Sequence, residues 1–190
     1  MTDHFATLGQ PRRPWLDAEA LKNAFHGRSA SLHPDIPGTG DAAQFAALNA
    51  AYIVLRDHAS RLRHLLELGA PAALAPASAP PVELSDLFME IADTRRRLTE
   101  FLARRTAATS PLARALLAGE EAVLRREFNA TLAQLELAEA GGLDEVRVLD
   151  STWRETDAAA VAALTGCFHR LAYLGRWLAQ SRESLFALGG

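Results

Sequence analysis

Two runs of apolar residues at helical spacing flank the tripeptide His33-Pro34-Asp35, and no other feature constrains this chain as much. Upstream, Leu21, Phe25 and Leu32 recur along one helix face; downstream, Phe45, Leu48, Tyr52 and Leu55 do the same. Between the runs lies Ile36-Pro37-Gly38-Thr39-Gly40, rich in helix breakers. On average composition a His-Pro-Asp run arises by chance in a chain of this length about one time in a hundred, and its placement between two helical patterns makes chance a poor account. The tripeptide therefore opens a tight loop joining two helices that can pack as an antiparallel hairpin.

The remaining composition narrows the function classes. Hydrophobic residues make up 49% of the 190, enough for a packed core. A net charge of -3 gives no whole-chain case for nucleic acid or an anionic membrane. No apolar run approaches the length that spans a bilayer, and Met1-Thr2-Asp3-His4 opens without a secretory pattern. The single cysteine, Cys167, excludes an intrachain disulfide and a cysteine-cluster metal site. His58 and His64 are six residues apart, and His26 and His33 seven, so neither pair has the spacing of a helical zinc motif. A phosphate-binding glycine loop and a nucleophile elbow are also missing. The expectation is a cytoplasmic protein that is not an enzyme and carries no metal or cofactor.

The segment up to Gly69 reads as all-helical. A short helix over Asp3–Leu8 ends at Gly9 and Pro11, and a second, capped by Asp17, runs to about Leu32. A third covers about Asp41 to Arg56, and a fourth Ser60 to Leu68, stopped by Gly69. Residues 70–81 hold four prolines among many alanines and read as an extended linker. Beyond it come three long helices. The first spans about Val82 to Ala107; the second starts at Ser110-Pro111 and breaks at Gly141-Gly142; the third runs from about Thr156 to Ala187. Short connections predict an antiparallel three-helix bundle. The fold class is thus all-α: a helical hairpin domain over 1–69, a linker over 70–81 and a bundle over 82–190.

This layout resembles the HscB-type J-domain co-chaperones of iron–sulfur cluster assembly. The resemblance covers nearly the whole chain. Asp3-His4-Phe5-Ala6-Thr7-Leu8 is similar to the family's opening D-x-F-x-x-L, and Asn49-Ala50-Ala51-Tyr52-Ile53-Val54-Leu55 to its N-x-A-Y-x-x-L. Arg61-Leu62-Arg63-His64-Leu65-Leu66-Glu67-Leu68-Gly69 resembles its R-A-x-Y-L-L-x-L-x-G, the match that separates it from general J-proteins. Those proteins continue with a Gly/Phe-rich segment and often a CxxC zinc domain, both lacking here, and the N-terminal CxxC module of some family members is lacking too.

The resemblance implies a non-enzymatic co-chaperone. Its bundle would hold an IscU-like iron–sulfur scaffold, and its J-domain would present that client to an HscA- or DnaK-type chaperone and stimulate ATP hydrolysis. His33, Pro34 and Asp35 would contact the chaperone, with Asp35 a compact acceptor for a partner arginine. Lys22 matches a basic position of the second helix. His26, Gly27 and Ser31 stand where Lys or Arg is common, and Arg28 falls about 20° from Leu21 on a helical wheel, in the apolar stripe. Arg28 is expected to snorkel to the edge and restore part of the charge. The client-binding positions are Phe88, Met89, Asp93 and Tyr173, although Phe88 and Met89 read equally as core. Arg96 stands where an acid is common. The rivals are a J-protein of this architecture with another client, favoured by Arg95-Arg96-Arg97, and a structural or oligomerisation protein with a decayed J-domain. Self-association stays open.

Overall fold

A computed structural model describes residues 2–32, 41–75 and 80–189, and among these every regular element is helical. The helices are α1 (His4–Leu8), α2 (Ala18–Leu32), α3 (Ala42–Arg56), α4 (His58–Gly69), α5 (Ser85–Ala107), α6 (Pro111–Thr152) and α7 (Ala158–Gly189). One-turn 3-10 helices occur at Pro71–Leu74 and Val82–Leu84. The tripeptide His33-Pro34-Asp35 lies outside the described residues.

Short polar side chains set most of the helix starts. The Oδ1 atoms of Asp3, Asp17, Asp41 and Asp57 accept the N–H groups of Ala6, Ala20, Gln44 and Ser60, at 3.2, 2.7, 3.0 and 2.8 Å. Each satisfies a donor that the first turn leaves unpaired. Ser110 does the same for α6, its Oγ accepting from Ala113 at 3.1 Å ahead of Pro111. Helix α1 ends at Gly9, whose φ of 62° is left-handed and suits glycine.

The chain divides into two compact units. The first comprises Met1–Pro76 with Gly142–Leu171. Its core joins Phe5, Leu8, Leu21, Leu48, Leu55 and Leu62 to Val146, Leu164 and Leu171. Phe25 of α2 stacks on Tyr52 of α3 with ring centroids 4.4 Å apart, closing the hairpin that the apolar pattern predicts.

A polar knot fastens residues 12–15 inside this unit. Arg61 is 1% exposed. Its Nε donates to the Pro14 carbonyl at 2.9 Å, its Nη1 to the Leu55 carbonyl at 2.7 Å and its Nη2 to His58 Nδ1 at 2.7 Å. Burial draws its pKa down to about 10 against the opposing pull of the Asp57 and Asp150 carboxylates, so the guanidinium stays charged at neutral pH. The Trp15 ring stacks on His58 at 5.4 Å and has the Arg147 guanidinium 4.2 Å from its centroid. The Asp150 carboxylate accepts the Trp15 N–H at 3.1 Å and pairs with Arg13 at 2.8 Å.

This arrangement makes the first unit acid-sensitive. Burial, and next the neighbouring Arg61, hold His58 below the ordinary histidine range; burial, and next His64, do the same for His4. An unfolded chain takes up protons at these groups near pH 6.5 while the folded chain resists. The stability they confer is whole above about pH 6.5 and is lost as pH falls toward the folded values. Melting followed by circular dichroism should therefore drop between pH 7.5 and 5.5. The drop should be smaller in His58→Asn, which keeps an acceptor for Arg61 but cannot titrate; equal drops would sink this account.

The second unit comprises Ala77–Gly141 with Ala172–Gly190. Cross-helix pairs fix its register. Thr131 Oγ1 donates to Glu90 Oε1 at 3.3 Å, Arg97 meets Glu127 at 2.8 Å, and Arg104 bonds Glu120, so α5 and α6 run antiparallel. Arg95 reaches Gln180 at 2.7 Å and Arg105 the Ala187 carbonyl at 2.8 Å, so α5 and α7 run parallel. The interior consists of Ile91, Leu135, Leu174, Trp177 and Leu178 in one cluster and Leu98, Phe101, Leu124, Phe128 and Leu188 in another. This is the up-down-up bundle expected from the connections.

Three expectations are corrected. Gly141-Gly142 does not end the second long helix; α6 continues to Thr152. Glycine costs about 1 kcal/mol in a helix, but a Cβ on Gly142 would stand only 3.1 Å from Leu171 Cδ2, so the missing side chain admits a close neighbour. Residues 142–152 and 158–171 consequently belong with the first 76, not with the bundle. Nor is the Pro/Ala segment extended throughout, since Pro71–Leu74 turns and Ala73 and Leu74 pack on the first core. On composition, elastase should still nick 70–81 before any helix. The fragments should separate under denaturing conditions but co-elute in native buffer, because Gly142–Leu171 packs with the first. Fragments that part in native buffer would contradict the division.

Candidate functional site

Around the expected chaperone contact, α2 offers little free positive charge. Lys22 is exposed, its Nζ 3.7 Å from Glu19 Oε2. Arg28 does leave the apolar stripe, turning toward α1: Nη1 donates to the Thr7 carbonyl at 2.7 Å. There the cation meets the carbonyl end of α1, which the helix dipole favours. Its head covers Gly9, where a Cβ would stand 2.2 Å from Nη2. Ser31 Oγ donates to the Arg28 carbonyl at 2.9 Å. The side chains of α2 thus carry two exposed cations, Lys22 and Arg28, the second engaged on α1.

The four expected client positions fall in the second unit. Met89 is 65% exposed and Phe88 is exposed as well, which settles them as surface residues; Leu87 beside them packs inward. Phe88 and the half-buried Tyr173 converge on one buried ring, Trp177, at centroid distances of 5.8 and 5.6 Å. The Arg176 guanidinium lies 4.4 Å over Tyr173. Trp177 and Arg176 escaped the sequence reading, although Trp177 follows Tyr173 by four residues and so shares its face. Asp93 is apart from this cluster in its bonding: it pairs with Arg96 at 2.6 Å, and Arg96 also holds Glu100 at 2.9 Å. The cation at an acidic position is therefore neutralised locally. All three arginines of the 95–97 run are engaged within the chain, Arg95 by the neutral Gln180 and Arg96 and Arg97 by carboxylates.

Among the described residues, the arrangement offers an apolar aromatic surface on α5 and α7. No protein-family model matches the chain. Three curated relatives are each named Co-chaperone protein HscB homolog. That of Bordetella petrii is 39% identical over 72 residues, 34% of this chain and 42% of the relative. That of Azoarcus sp. is 39% identical over 80 residues, 38% of this chain and 45% of the relative. That of Bordetella avium is 32% identical over 147 residues, 70% of this chain and 79% of the relative. The chain thus matches less than half the length of the first two relatives and most of the third. Chaperone HscB from Vibrio cholerae shares the fold, with a TM-score of 0.56, 20% identity and 96% of each chain covered. The class these likenesses define is that of the co-chaperones. The chain belongs to the HscB family.

Proposed function

We propose that this protein is a co-chaperone of iron–sulfur cluster assembly that holds an IscU-like scaffold and hands it to an HscA- or DnaK-type ATPase in the cytoplasm. The observation that carries the client role is the apolar surface on α5 and α7, where exposed Phe88 and Met89 stand beside Tyr173 over Trp177. Aromatic and methionine side chains at the centre of a surface patch are the usual anchors of an interface. The chaperone role rests on His33, Pro34 and Asp35, with Lys22 on the adjoining helix. Arg28 acts here as a clamp on α1, so docking draws little electrostatic steering from α2. The chain supplies contacts, and the hydrolytic chemistry belongs to the partner. None of its described helices is long and apolar enough to cross a membrane.

Two variants test the client surface by calorimetric titration with the scaffold. Met89→Lys should weaken binding at least tenfold and leave melting unchanged, because the side chain is mostly in water. Tyr173→Ala should weaken it by more than about 1 kcal/mol, with a melting loss below the 3–5 kcal/mol of a fully buried aromatic. Client-free ATPase stimulation should survive in both. Wild-type affinity in both variants would remove this surface from the client role.

A further inference from the structure

The outward side of α6 carries a pattern that neither role uses. Within the second unit the inward side of α6 is Leu124, Phe128, Thr131 and Leu135. On the opposite side, every position from Leu112 to Ala140 at alternating steps of four and three residues is small or apolar, save Arg126. All are exposed except Val123, which is half-exposed. Leu116 and Leu137 are each 76% exposed, a poor place for a leucine in a lone helix. Sustained over four heptads, this is the seam of a helix that pairs with another.

We propose that this face binds the same face of a second copy of the chain, antiparallel. The pattern is self-complementary. In one register each layer sets a large side chain on a small one: Leu116 on the partner's Ala140, Leu137 on the partner's Gly119, Val123 on the partner's Ala133. Two-fold symmetry then makes every such layer twice. Arg126 fits the same scheme. Among the described residues it has no ion-pair partner in its own chain. The register lays it across the partner's Ala130 with its head near the partner's Glu127, a carboxylate that also meets Arg97 of its own chain. The seam is about 43 Å long. A strip about 10 Å wide removes on the order of 1,000 Å² from the two copies together, the size at which an interface becomes specific. Phe88, Met89 and Tyr173 lie on other helices, so pairing leaves the client surface free.

Sedimentation velocity on the full chain from about 1 to 100 μM decides this. The wild type should pass from monomer to dimer. Leu137→Lys should raise the dissociation constant at least tenfold, and so should Arg126→Glu, which sets two carboxylates side by side. Neither should change melting at about 1 μM, where the wild type is monomeric, since both side chains are exposed; if Leu137→Lys proves poorly folded, Leu116→Lys asks the same question. A wild type that stays monomeric throughout overturns the proposal, as does a dimer that these substitutions leave intact. A monomer that instead floats with lipid vesicles overturns it too, and reassigns the face to a membrane surface.

Discussion

Asp35→Asn should remove most of the stimulation of an HscA- or DnaK-type ATPase in single-turnover assays, with helical content and melting unchanged. Asparagine keeps the shape of the side chain and one acceptor oxygen but removes the charge. A hydrogen bond to a charged group contributes about 1.5–3 kcal/mol against about 1 kcal/mol for a neutral pair, and the planar fork of an arginine is matched by two carboxylate oxygens and not by an amide. The binding and orientation lost should lower the stimulated rate by on the order of tenfold to a hundredfold. Stability should not follow, because the residue is read as an exposed contact in a loop. Equal rates for wild type and variant would remove the tripeptide from the chaperone interface.

The largest expected loss of stability comes from Arg61→Met, about 3 kcal/mol or more in urea unfolding. Methionine fills much of the volume, yet it leaves the Pro14 and Leu55 carbonyls without their donors in a buried site, at about 1–3 kcal/mol for each. Arg61→Lys should rescue little. An ammonium on a flexible stem cannot reach both carbonyls and His58 in the fixed directions of a guanidinium, and it is more strongly hydrated. A loss under about 1 kcal/mol for Arg61→Met would show that the knot around Trp15 is held by apolar contact alone.

Much of the fold was open to reading because its signals are local. Asp3 and Asp17 sit where an aspartate must stand to cap a first turn, and Gly9 where a left-handed residue must end one. The fourth helix starts at His58, two residues before the expected Ser60, because Asp57 takes the cap and Ser60 supplies the capped N–H. What escaped were choices made by distant neighbours. Gly141-Gly142 is a helix breaker only by propensity, and the approach of Leu171 outweighs a preference of about 1 kcal/mol. Arg61 was legible as part of a motif but not as a buried cation, although it shares a helix face with Leu65; its partners at Pro14 and Leu55 come from other segments.

The candidate sites were legible to different depths. Phe88, Met89 and Tyr173 came from resemblance, and periodicity alone left Phe88 and Met89 divided between surface and interior. Trp177, which supports two of them, needed the pairing of α5 with α7 to be found. The spacing of Arg28 in the apolar stripe says only that its head must leave that stripe; its engagement with the Thr7 carbonyl depends on the position of the α1 carbonyls, which no spacing on α2 encodes.

The continuity of α6 past its two glycines bears on how such proteins can be recombined. By chain order alone, a chimera joined in the Pro/Ala segment exchanges one whole module for another. Here the donor's first 76 residues would arrive without the stretch 142–171 against which Phe5, Leu55 and Leu62 share a core and on which Arg13 and Trp15 find Asp150. A functional exchange between relatives has to carry both stretches of sequence, cutting α6 near Gly141 and α7 near Leu171. Pairs of substitutions that compensate one another across homologues should accordingly link residues near 13–15 with residues near 147–150, about 135 positions away in the chain.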